Sequence, residues 1–325
     1  MNDVVSLSSL NVDYIYEAED LSFLEPLYPE GGYRRQWTLD DPHKILELES
    51  TLKGKARLIA KSGGGSGANT AYCLAKMGFK SGLMGKIGRD DDAEFLMDAN
   101  KIIPFQQISR NQRTGKSLIV LGPDRDRTII RIPQANQTLV GADLDLDFIK
   151  SFSILHLTSL PGEGLNLQVR LVEVLAGKIQ ISFDPGETYV RKGLAALTPI
   201  LVRCDWLFIT EGELEILTNL SLKEAAPRLQ DIGTQTIIIK KKGAGAHIFR
   251  GSQSWDLPSQ IVQAQDTTGA GDVFAAGFLA GILKGFSLPD CGCLGLTFSH
   301  QSLIGLGRTA YPGKEDFEKA RGKLL

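Results

Sequence analysis

Along most of the chain, short apolar runs alternate with longer segments in which apolar residues recur every three or four positions. The apolar runs have the length of buried strands and lie at 153–157, 179–183, 206–210 and 236–240. Helical periodicity lies at 165–176, 222–229 and 273–283. Strands that alternate with helices favour crossover connections between parallel strands. The pattern therefore predicts an α/β fold in which helices cover a mainly parallel sheet.

The first part of the chain departs from this alternation. The segment 14–47 is rich in Glu, Asp, Tyr, Pro and Gly, and two β-rich runs at 114–120 and 127–132 flank a turn rich in Gly, Pro and Asp. We interpret these pieces as excursions that leave the α/β body and meet over its edge as a small lid, from about 14–47 and 112–134. Because no linker interrupts the chain, residues 1–325 are expected to form a single domain.

Composition and charge narrow the range of partners. With 325 residues, 42% of them hydrophobic, the chain can bury a large core, and a net charge of −2 provides no basic field for nucleic acid. No stretch reaches the roughly 18 uninterrupted apolar residues of a membrane span, and the N-terminus lacks the basic and apolar regions of a signal peptide. The cysteines and histidines are scattered rather than spaced as zinc ligands. We therefore expect a cytoplasmic enzyme whose partners are small molecules, with no nucleic acid and no membrane.

The most informative segment for chemistry is 266–272, DTTGAGD, which runs into a helix-forming stretch. The small residues Gly269, Ala270 and Gly271 let the backbone approach a ligand closely, and the free N–H groups of a first helical turn attract an anion. An aspartate at this place, Asp272, is suited to orient and deprotonate an attacking hydroxyl. Residue types alone leave a second interpretation equally open, because Gly-Ala-Gly also permits close packing and aspartate is a common helix cap.

The order of the whole run resembles the C-terminal signature D-T-x-G-A-G-D of the PfkB (ribokinase-like) carbohydrate kinase family. The resemblance implies that Asp272 is the catalytic base and that the amides of Gly269, Ala270 and Gly271 form an anion hole. It also implies the family's fold, a three-layer α/β sandwich with a mainly parallel central sheet and a small β lid. The expected activity is transfer of the γ-phosphoryl group of ATP, with Mg²⁺, to an alcohol hydroxyl.

A second glycine cluster lies at 63–78, GGGSGANTAYCLAKMG, and it also leads into a helix. Its first residues satisfy the dinucleotide pattern G-x-G-x-x-A, but such a fingerprint belongs to the first strand-turn-helix of a domain, and about sixty residues precede it here. The run is more similar to the N-terminal signature of the same kinase family, G-G-x-x-x-N. That resemblance implies that Gly64, Gly65 and Asn69 bind the hydroxyls of the substrate.

Two further segments belong to the predicted acceptor side. Asn11-Val12-Asp13, expected at the end of the first strand, resembles the family's N-x-D, which implies that Asn11 and Asp13 contact substrate hydroxyls. A carboxylate suits that task because it accepts two hydrogen bonds without donating any. At the return of the lid, Asn136 and Arg131 are expected to contact the substrate or the reactive phosphate. Arg131 is equally consistent with an ordinary surface arginine.

The nucleotide side is predicted from a turn that follows the apolar run at 236–240. Lys241, Gly243 and Gly245 resemble the family's turn beside the nucleotide, which is one residue longer between its glycines. The resemblance implies that Lys241 pairs with a phosphate. Lys240 and Lys242 are expected to be solvated.

Metal and further nucleotide candidates lie on other segments. Thr210-x-x-Glu213 occupies the place of the family's N-x-x-E, which implies that Glu213 organises Mg²⁺ through water, although Thr210 replaces the asparagine. Asp266 and Thr268 match positions that help to hold a potassium ion beside the anion hole, so K⁺ is a second candidate cofactor. Thr268 is also expected to contact the nucleotide, as is Ser299, which lies on a helix expected to flank the adenine.

The resemblance leaves the acceptor open. Residues 23–41 look like the lid segment of adenosine-kinase-like members, whereas residues 64–69 look closer to ribokinase. We favour a sugar with a primary hydroxyl. A nucleoside is the alternative. The aromatic residues near the lid would then stack on the base, although they are equally suited to form a small core of the lid: Tyr14, Tyr16, Tyr33 and Trp37. Two other classes are a dinucleotide-dependent oxidoreductase and a catalytically silent sugar-binding protein. Pairing of edge strands in the lid would form a homodimer.

Overall fold

The computed structural model describes residues 1–27, 36–123, 127–175, 177–241, 243–259, 262 and 264–324, which form two β-sheets with surrounding helices. In chain order the strands are β1 (Asn2–Leu7), β2 (Asn11–Glu17), β3 (Gln36–Thr38), β4 (Arg57–Gly64), β5 (Ser81–Ile87), β6 (Phe105–Arg110), β7 (Gly115–Leu121), β8 (Arg127–Ile132), β9 (Phe152–Thr158), β10 (Gln180–Asp184), β11 (Trp206–Thr210), β12 (Thr236–Lys241), β13 (Gly245–Arg250) and β14 (Gln253–Leu257). The helices are α1 (Pro42–Lys55), α2 (Ser66–Lys76), α3 (Asp91–Ala99), α4 (Leu146–Lys150), α5 (Gly164–Leu175), α6 (Gly186–Val190), α7 (Leu194–Leu201), α8 (Glu211–Thr218), α9 (Leu222–Ile232), α10 (Ala270–Leu283), α11 (Leu288–Ser302) and α12 (Lys314–Arg321).

The large sheet has nine strands in the order β14-β13-β12-β11-β10-β9-β1-β5-β6. From β6 to β12 every neighbouring pair is parallel, and β13 and β14 continue the edge in antiparallel pairing. The four apolar runs of the sequence are β9 to β12, and their bounds differ from the predicted ones by at most one residue at either end. The mainly parallel sheet is therefore as predicted.

Helices cover both faces of the large sheet because successive residues of its strands point to opposite sides. In β12, Ile237 and Ile239 pack into a buried cluster that includes α5, α7, α8 and α9, and Ile238 packs into another that includes α2, α10 and α11. The same alternation holds in β11, where Leu207 and Phe208 belong to different clusters. Strands that are apolar on both faces thus produce the predicted three-layer sandwich, which is confirmed.

The small sheet has five strands in the order β3-β8-β7-β2-β4. One of its faces packs with α1 in a separate apolar cluster that includes Trp37 and Leu48. The sheet draws on more of the chain than the predicted lid, since it begins at Asn11 and includes Arg57–Gly64. Asn11–Asp13 therefore opens the second strand, and the expectation that it ends the first strand is wrong. Residues 124–126 of the predicted turn lie outside the described residues.

Within the described part of the chain, no helix is long and apolar enough to cross a membrane.

Candidate active site

A polar cleft of about 530 Å³ lies where the small sheet faces the carboxyl ends of the parallel strands. The large sheet contributes Asp184 from the end of β10 and Lys240 from near the end of β12. The small sheet contributes residues of β2, β7 and β8, and the segment that begins α10 closes one end. The carboxyl ends of parallel strands are the usual ligand site of α/β folds because strand-to-helix loops and helix N-termini meet there.

Asp272 lies in the first turn of α10 and faces the cleft. Its Oδ2 accepts a hydrogen bond of 2.8 Å from Nδ2 of Asn69 on α2. Burial raises the pKa of Asp272 to about 7; the carboxylate of Asp184 adds to this rise, while Asn69 and the ammonium of Lys240 oppose it. A carboxyl group with a pKa near neutrality is well matched to general-base catalysis at neutral pH.

The turn before α10 requires glycine. Gly269 has a φ of 78°, in the left-handed region, and a Cβ at this position would lie 2.1 Å from Oη of Tyr311. Gly269 and Gly271 line the cleft, whereas Ala270 does not. A Cβ on Gly271 would lie 3.4 Å from Nζ of Lys240, so a cation faces the start of the helix. Free N–H groups and an ammonium together provide a site for an anion.

Asp272 is held by a chain of hydrogen bonds that ends at a buried arginine. Nε of Arg308 donates to Oδ1 of Asn69 at 2.9 Å, and Nη1 donates to Oδ1 of Asn100 at 2.7 Å. The guanidinium also lies over the ring of Tyr72, 4.6 Å from its centroid. Because Asn69 accepts from Arg308 and donates to Asp272, its amide is fixed in one orientation. Arg308 is a positioning residue, and it lies 239 residues from Asn69 in the chain.

Replacing Arg308 by glutamine is expected to lower kcat about tenfold to 100-fold, because misplacement of the base by a fraction of an ångström costs rate. The substitution also removes a positive charge near Asp272 and Asp13, so the acid limb of the kcat/KM profile should move to higher pH. A purely structural role would lower activity and stability without moving that limb. Arg308→Lys is the matched control. It keeps the positive charge but cannot donate to both Asn69 and Asn100, so the acid limb of the kcat/KM profile should stay at the pH of the parent.

Asp13 lines the cleft on the side of the small sheet, where it lies in one row with neighbours on both sides. Cross-strand pairing places Ser62, Asp13, Ser117 and Arg131 side by side on β4, β2, β7 and β8. Burial raises the pKa of Asp13 to about 7; a hydrogen bond to Ser117 and the charge of Arg308 oppose the rise. Asp13 and Asp272 thus form a pair of carboxyl groups with raised pKa values in one cleft.

Gly64 and Gly65 make room for this arrangement. A Cβ on Gly64 would lie 2.2 Å from the carboxylate of Asp13. Gly65 has a φ of 99°, and its Cβ would lie 1.9 Å from the carbonyl oxygen of Ser9. Gly65 lines the cleft and precedes α2, whose first turns include Asn69. Gly64 therefore leaves room for the side chain of Asp13, and Gly65 allows a close approach of the backbone.

Asn11 and Asn136 also line the cleft and contact each other. Nδ2 of Asn136 donates to Oδ1 of Asn11 at 2.9 Å, and Oδ1 of Asn136 accepts from the backbone N–H of Leu10 at 2.8 Å. The pair ties the start of β2 to the segment after β8. It therefore holds together the wall of the cleft that also contains Asp13.

An ion-paired cluster lines the cleft on the side of the large sheet. Nζ of Lys240 lies 2.6 Å from Oδ2 of Asp184, and Glu213 lies beside them. Burial alone would lower the pKa of Lys240, but the two carboxylates outweigh it and the pKa is raised, so the ammonium stays charged. Burial raises the pKa of Glu213, which Lys240 partly offsets. The expectation that Lys240 is solvated is wrong, because the side chain points into the cleft.

The sequence matches the model of a known family over residues 39–307, described as the pfkB family of carbohydrate kinases. The chain belongs to the pfkB family. It is therefore a kinase, a phosphotransferase that acts on a hydroxyl group.

Relatives and solved structures agree with this assignment. The chain is 30% identical over 229 residues to an uncharacterized sugar kinase of Archaeoglobus fulgidus, which covers 68% of this chain and 90% of that protein. The adenosine kinase of Sinorhizobium meliloti superposes with a TM-score of 0.84 over 99% of both chains, at 21% identity. A ribokinase of Arabidopsis thaliana, solved with ribose and ATP, superposes with a TM-score of 0.77 over 98% of both chains, at 20% identity. These two structural similarities establish the fold of this member of the pfkB family.

The structure does not bring the predicted nucleotide turn into the cleft. Nζ of Lys241 pairs with the carboxylate of Asp256, and Lys241, Gly243, Gly245 and Ser299 are not among the described residues that line the cleft. Side chains on a strand alternate between faces, so Lys240 and Lys241 cannot both point into it. Lys242 lies outside the described residues.

Asp266 and Thr268 lie together at the turn before α10. Oδ1 of Asp266 accepts from the backbone N–H of Thr268 at 2.8 Å, and Oδ2 accepts from that of Gly307 at 3.2 Å. Nη1 of Arg127 lies 3.9 Å from Oδ1 of Asp266 and donates to the hydroxyls of Thr267 and Thr268. An arginine from the small sheet thus brings positive charge to the place where K⁺ was expected.

Four side chains of the site were not predicted from the sequence to belong to it: Asp184, Lys240, Arg127 and Arg308. Asp184 had a usable signal, since it ends an apolar run that was predicted to be a parallel strand, and ligands bind at such ends. Lys240 is one of three consecutive lysines, and only strand register selects it. Arg127 and Arg308 carry no motif.

Proposed function

We propose that the protein transfers the γ-phosphoryl group of ATP to the primary hydroxyl of a sugar, with Asp272 as general base. The observation that carries the proposal is the position of Asp272, in one cleft with the carboxylate of Asp13 and at the start of α10. The pfkB family supports the reaction type. The Arabidopsis ribokinase solved with ribose and ATP supports the choice of donor.

The acceptor binds against the small sheet. Asp13, Gly65 and Asn69 hold sugar hydroxyls, with Asn11 and Asn136 completing the wall, and one hydroxyl is directed at Asp272. Asp272 takes the proton of that hydroxyl while the hydroxyl oxygen of the sugar forms a bond to the γ-phosphorus. The bond between the γ-phosphorus and the bridging oxygen breaks, and ADP leaves with the electron pair.

Charge on the transferred group is stabilised from two sides. The first-turn amides of α10, at Gly269 to Gly271, act from one side, and the ammonium of Lys240 acts from the other. Both are present before the reaction, so no reorganisation is needed when charge develops. Arg127, beside Thr268, adds a further positive charge at the same turn.

Asp184 and Glu213 fit a magnesium site. Their carboxylate oxygens are the hard ligands that Mg²⁺ prefers. Burial raises the pKa of Glu213, and a cation beside it would stabilise the charged carboxylate. Among the described residues no group of three or more acidic, histidine or cysteine side chains could hold a metal by itself. Two carboxylates that share the ion with nucleotide phosphates are the usual arrangement for Mg²⁺ in kinases, where the ion neutralises phosphate charge.

The cleft favours a sugar over a nucleoside. None of its described lining residues is aromatic, so none can stack on a base. Trp37 packs in the core of the small sheet, and Tyr14 donates a hydrogen bond of 2.5 Å to Asp92 instead. Tyr33 lies outside the described residues. The hydroxyl, amide and carboxylate groups that line the cleft are suited to a polyol.

A screen of ADP release tests the proposal. Pentoses, hexoses, their acids and phosphates, and nucleosides are compared with ATP and Mg²⁺, in K⁺ and in Na⁺ buffers. We expect turnover with a sugar and none with nucleosides. Preferred turnover of a nucleoside would replace the sugar assignment, and binding of NAD without ADP release would favour the oxidoreductase. Equal rates in K⁺ and Na⁺ would show that Asp266 does not recruit a monovalent cation.

Activity is expected to rise with pH through about 7. Burial holds the pKa values of Asp272 and Asp13 at about 7, so below this pH the base carries a proton and cannot accept another. Because the two carboxyl groups interact, the pKa that the acid limb of kcat/KM reports is that of the pair and not of either residue alone. The acid limb is measured from initial rates between pH 5 and pH 9, a range chosen to bracket about 7. A limb near 4 would contradict a buried base.

The small sheet serves as the lid of this site, and the chain as a single domain. Its edge strands are β3 and β4, and pairing between copies of an edge strand would form the homodimer. Sedimentation velocity of the purified protein tests that prediction. The cytoplasmic location also remains a prediction, which fractionation of cells tests.

A further inference from the structure

Arg131 is a cleft-lining cation with much of its hydrogen-bonding capacity unused. It lies on β8, and its Nη1 donates a hydrogen bond of 2.8 Å to Oγ1 of Thr188, at the opposite side of the cleft. Among the described residues no carboxylate oxygen lies within 4.0 Å of its guanidinium nitrogens. A guanidinium has five N–H donors in a planar fork that matches a carboxylate or a phosphate.

The nearest acidic neighbour already has a partner. Glu187 forms an ion pair with Arg191, with Nη2 and Oε1 2.5 Å apart and a second bond of 2.7 Å from Nε. Burial lowers the pKa of Arg131, and the charge of Glu187 offsets only part of that effect. Arg131 is partly buried, and a cation held away from water without a close counter-ion is costly. An anionic ligand in the cleft would stabilise it.

The strand register places Arg131 on the acceptor side. Asp13 pairs with Ser117, and Ser117 pairs with Arg131, so all three residues share one face of the small sheet. Two strand spacings separate Asp13 from Arg131, which is roughly 10 Å between their Cα atoms. A five- or six-carbon sugar is long enough to contact the side chains of both residues. The proposed phosphoryl site is assigned to other residues, Lys240 and Gly271, which lie against each other at the start of α10.

We propose that the acceptor is an anionic sugar, whose carboxylate or phosphate group binds Arg131 while Asp13 holds its hydroxyls beside Asp272. This inference rests on the proposed function and narrows its substrate class. The anionic group lies at one end of the sugar, and the hydroxyl that is phosphorylated lies at the other. Neutral sugars lack the group that neutralises Arg131, so they bind more weakly.

Matched pairs of acceptors test the inference. Glucose is compared with gluconate, and fructose with fructose 1-phosphate, since each keeps a primary hydroxyl far from the anionic group. The parent protein, Arg131→Gln and Arg131→Lys are assayed for ADP release. Arg57→Gln is the control, because Arg57 is also an arginine of the small sheet but its side chain is 75% exposed. Binding is measured separately by calorimetry on the Asp272→Asn protein with and without Arg131→Gln.

We expect the parent to prefer one anionic sugar over its neutral partner at least tenfold in kcat/KM. The comparison of gluconate with fructose 1-phosphate shows whether that class is a carboxylate or a phosphate. Arg131→Gln should lower kcat/KM for that acceptor about 100- to 1,000-fold, chiefly through KM, and leave the neutral partner within about threefold. Arg131→Lys should recover part of the loss, and Arg57→Gln should change neither acceptor.

Two results separate the inference from the proposed function. Turnover of neutral sugars as good as that of anionic ones, or an equal loss for both in Arg131→Gln, overturns the anionic acceptor while the kinase stands. Arg131-dependent binding of an anionic sugar without ADP release by the parent supports the acceptor site and overturns the proposed function. Failure of both anionic sugars to bind overturns the inference.

Discussion

Replacing Asp272 by asparagine is expected to lower kcat by about 10²- to 10⁴-fold, the usual contribution of a general base. Asparagine keeps the size and can still accept the hydrogen bond from Asn69, but it cannot take a proton. Acceptor binding should remain close to that of the parent. Rates of ADP release and calorimetric binding of the best acceptor measure the two effects. Asp290→Asn is the matched control, since Asp290 lies in the first turn of α11, outside the cleft. Turnover within a few fold of the parent would show that Asp272 is not the base.

The same substitution should make the folded protein more stable at pH 8. The pKa of Asp272 is raised from 3.8 to about 7 by burial, so the native state holds a proton that the unfolded chain releases. Its contribution to stability is therefore complete below pH 4 and is lost as pH rises through about 7. Asparagine removes this loss, which amounts to roughly 1–4 kcal/mol at pH 8. Urea unfolding of the variant and the parent at pH 5 and pH 8 measures the difference in their free energies of unfolding. A gain in stability that is as large at pH 5 as at pH 8 would contradict an origin in the charge of Asp272.

Replacing Lys240 by methionine is expected to have two large effects. Turnover should fall about 10²- to 10³-fold, because the ammonium beside Gly271 no longer stabilises the transferred phosphoryl group. The folded state should lose about 3–5 kcal/mol, because Asp184 is left as a buried carboxylate without its partner. Lys241→Met is the control, since Lys241 pairs with Asp256, whose side chain is 61% exposed, and both effects should be small.

The double variant Asp184→Asn with Lys240→Met separates these effects. Removing both members of the ion pair should restore most of the stability, since no unpaired charge remains. Turnover should stay low, because the cation is still absent and one carboxylate of the magnesium site is lost as well. Recovery of turnover together with stability would show that Lys240 only balances the charge of Asp184.

The local parts of this protein could be predicted from sequence. The strands β9 to β12 were predicted within a residue because a strand buried on both faces leaves a continuous apolar run. The turn 266–272 and the cluster at 63–78 were recognisable for a similar reason. A left-handed turn and close backbone approach at Gly269 and Gly65 allow very few residue types.

The sequence by itself determined the family and the three-layer fold, and it singled out Asp272 as the proposed base, since short-range geometry restricts which residues can occupy those segments. Only the tertiary structure decided what surrounds Asp272. Register chose Lys240 over Lys241, and burial raised the pKa values of Asp13 and Asp272. Arg308 reaches Asn69 across 239 residues, and pairing of β2, β7 and β8 places Arg131 in line with Asp13. Contacts between distant segments follow from packing, which no local pattern encodes.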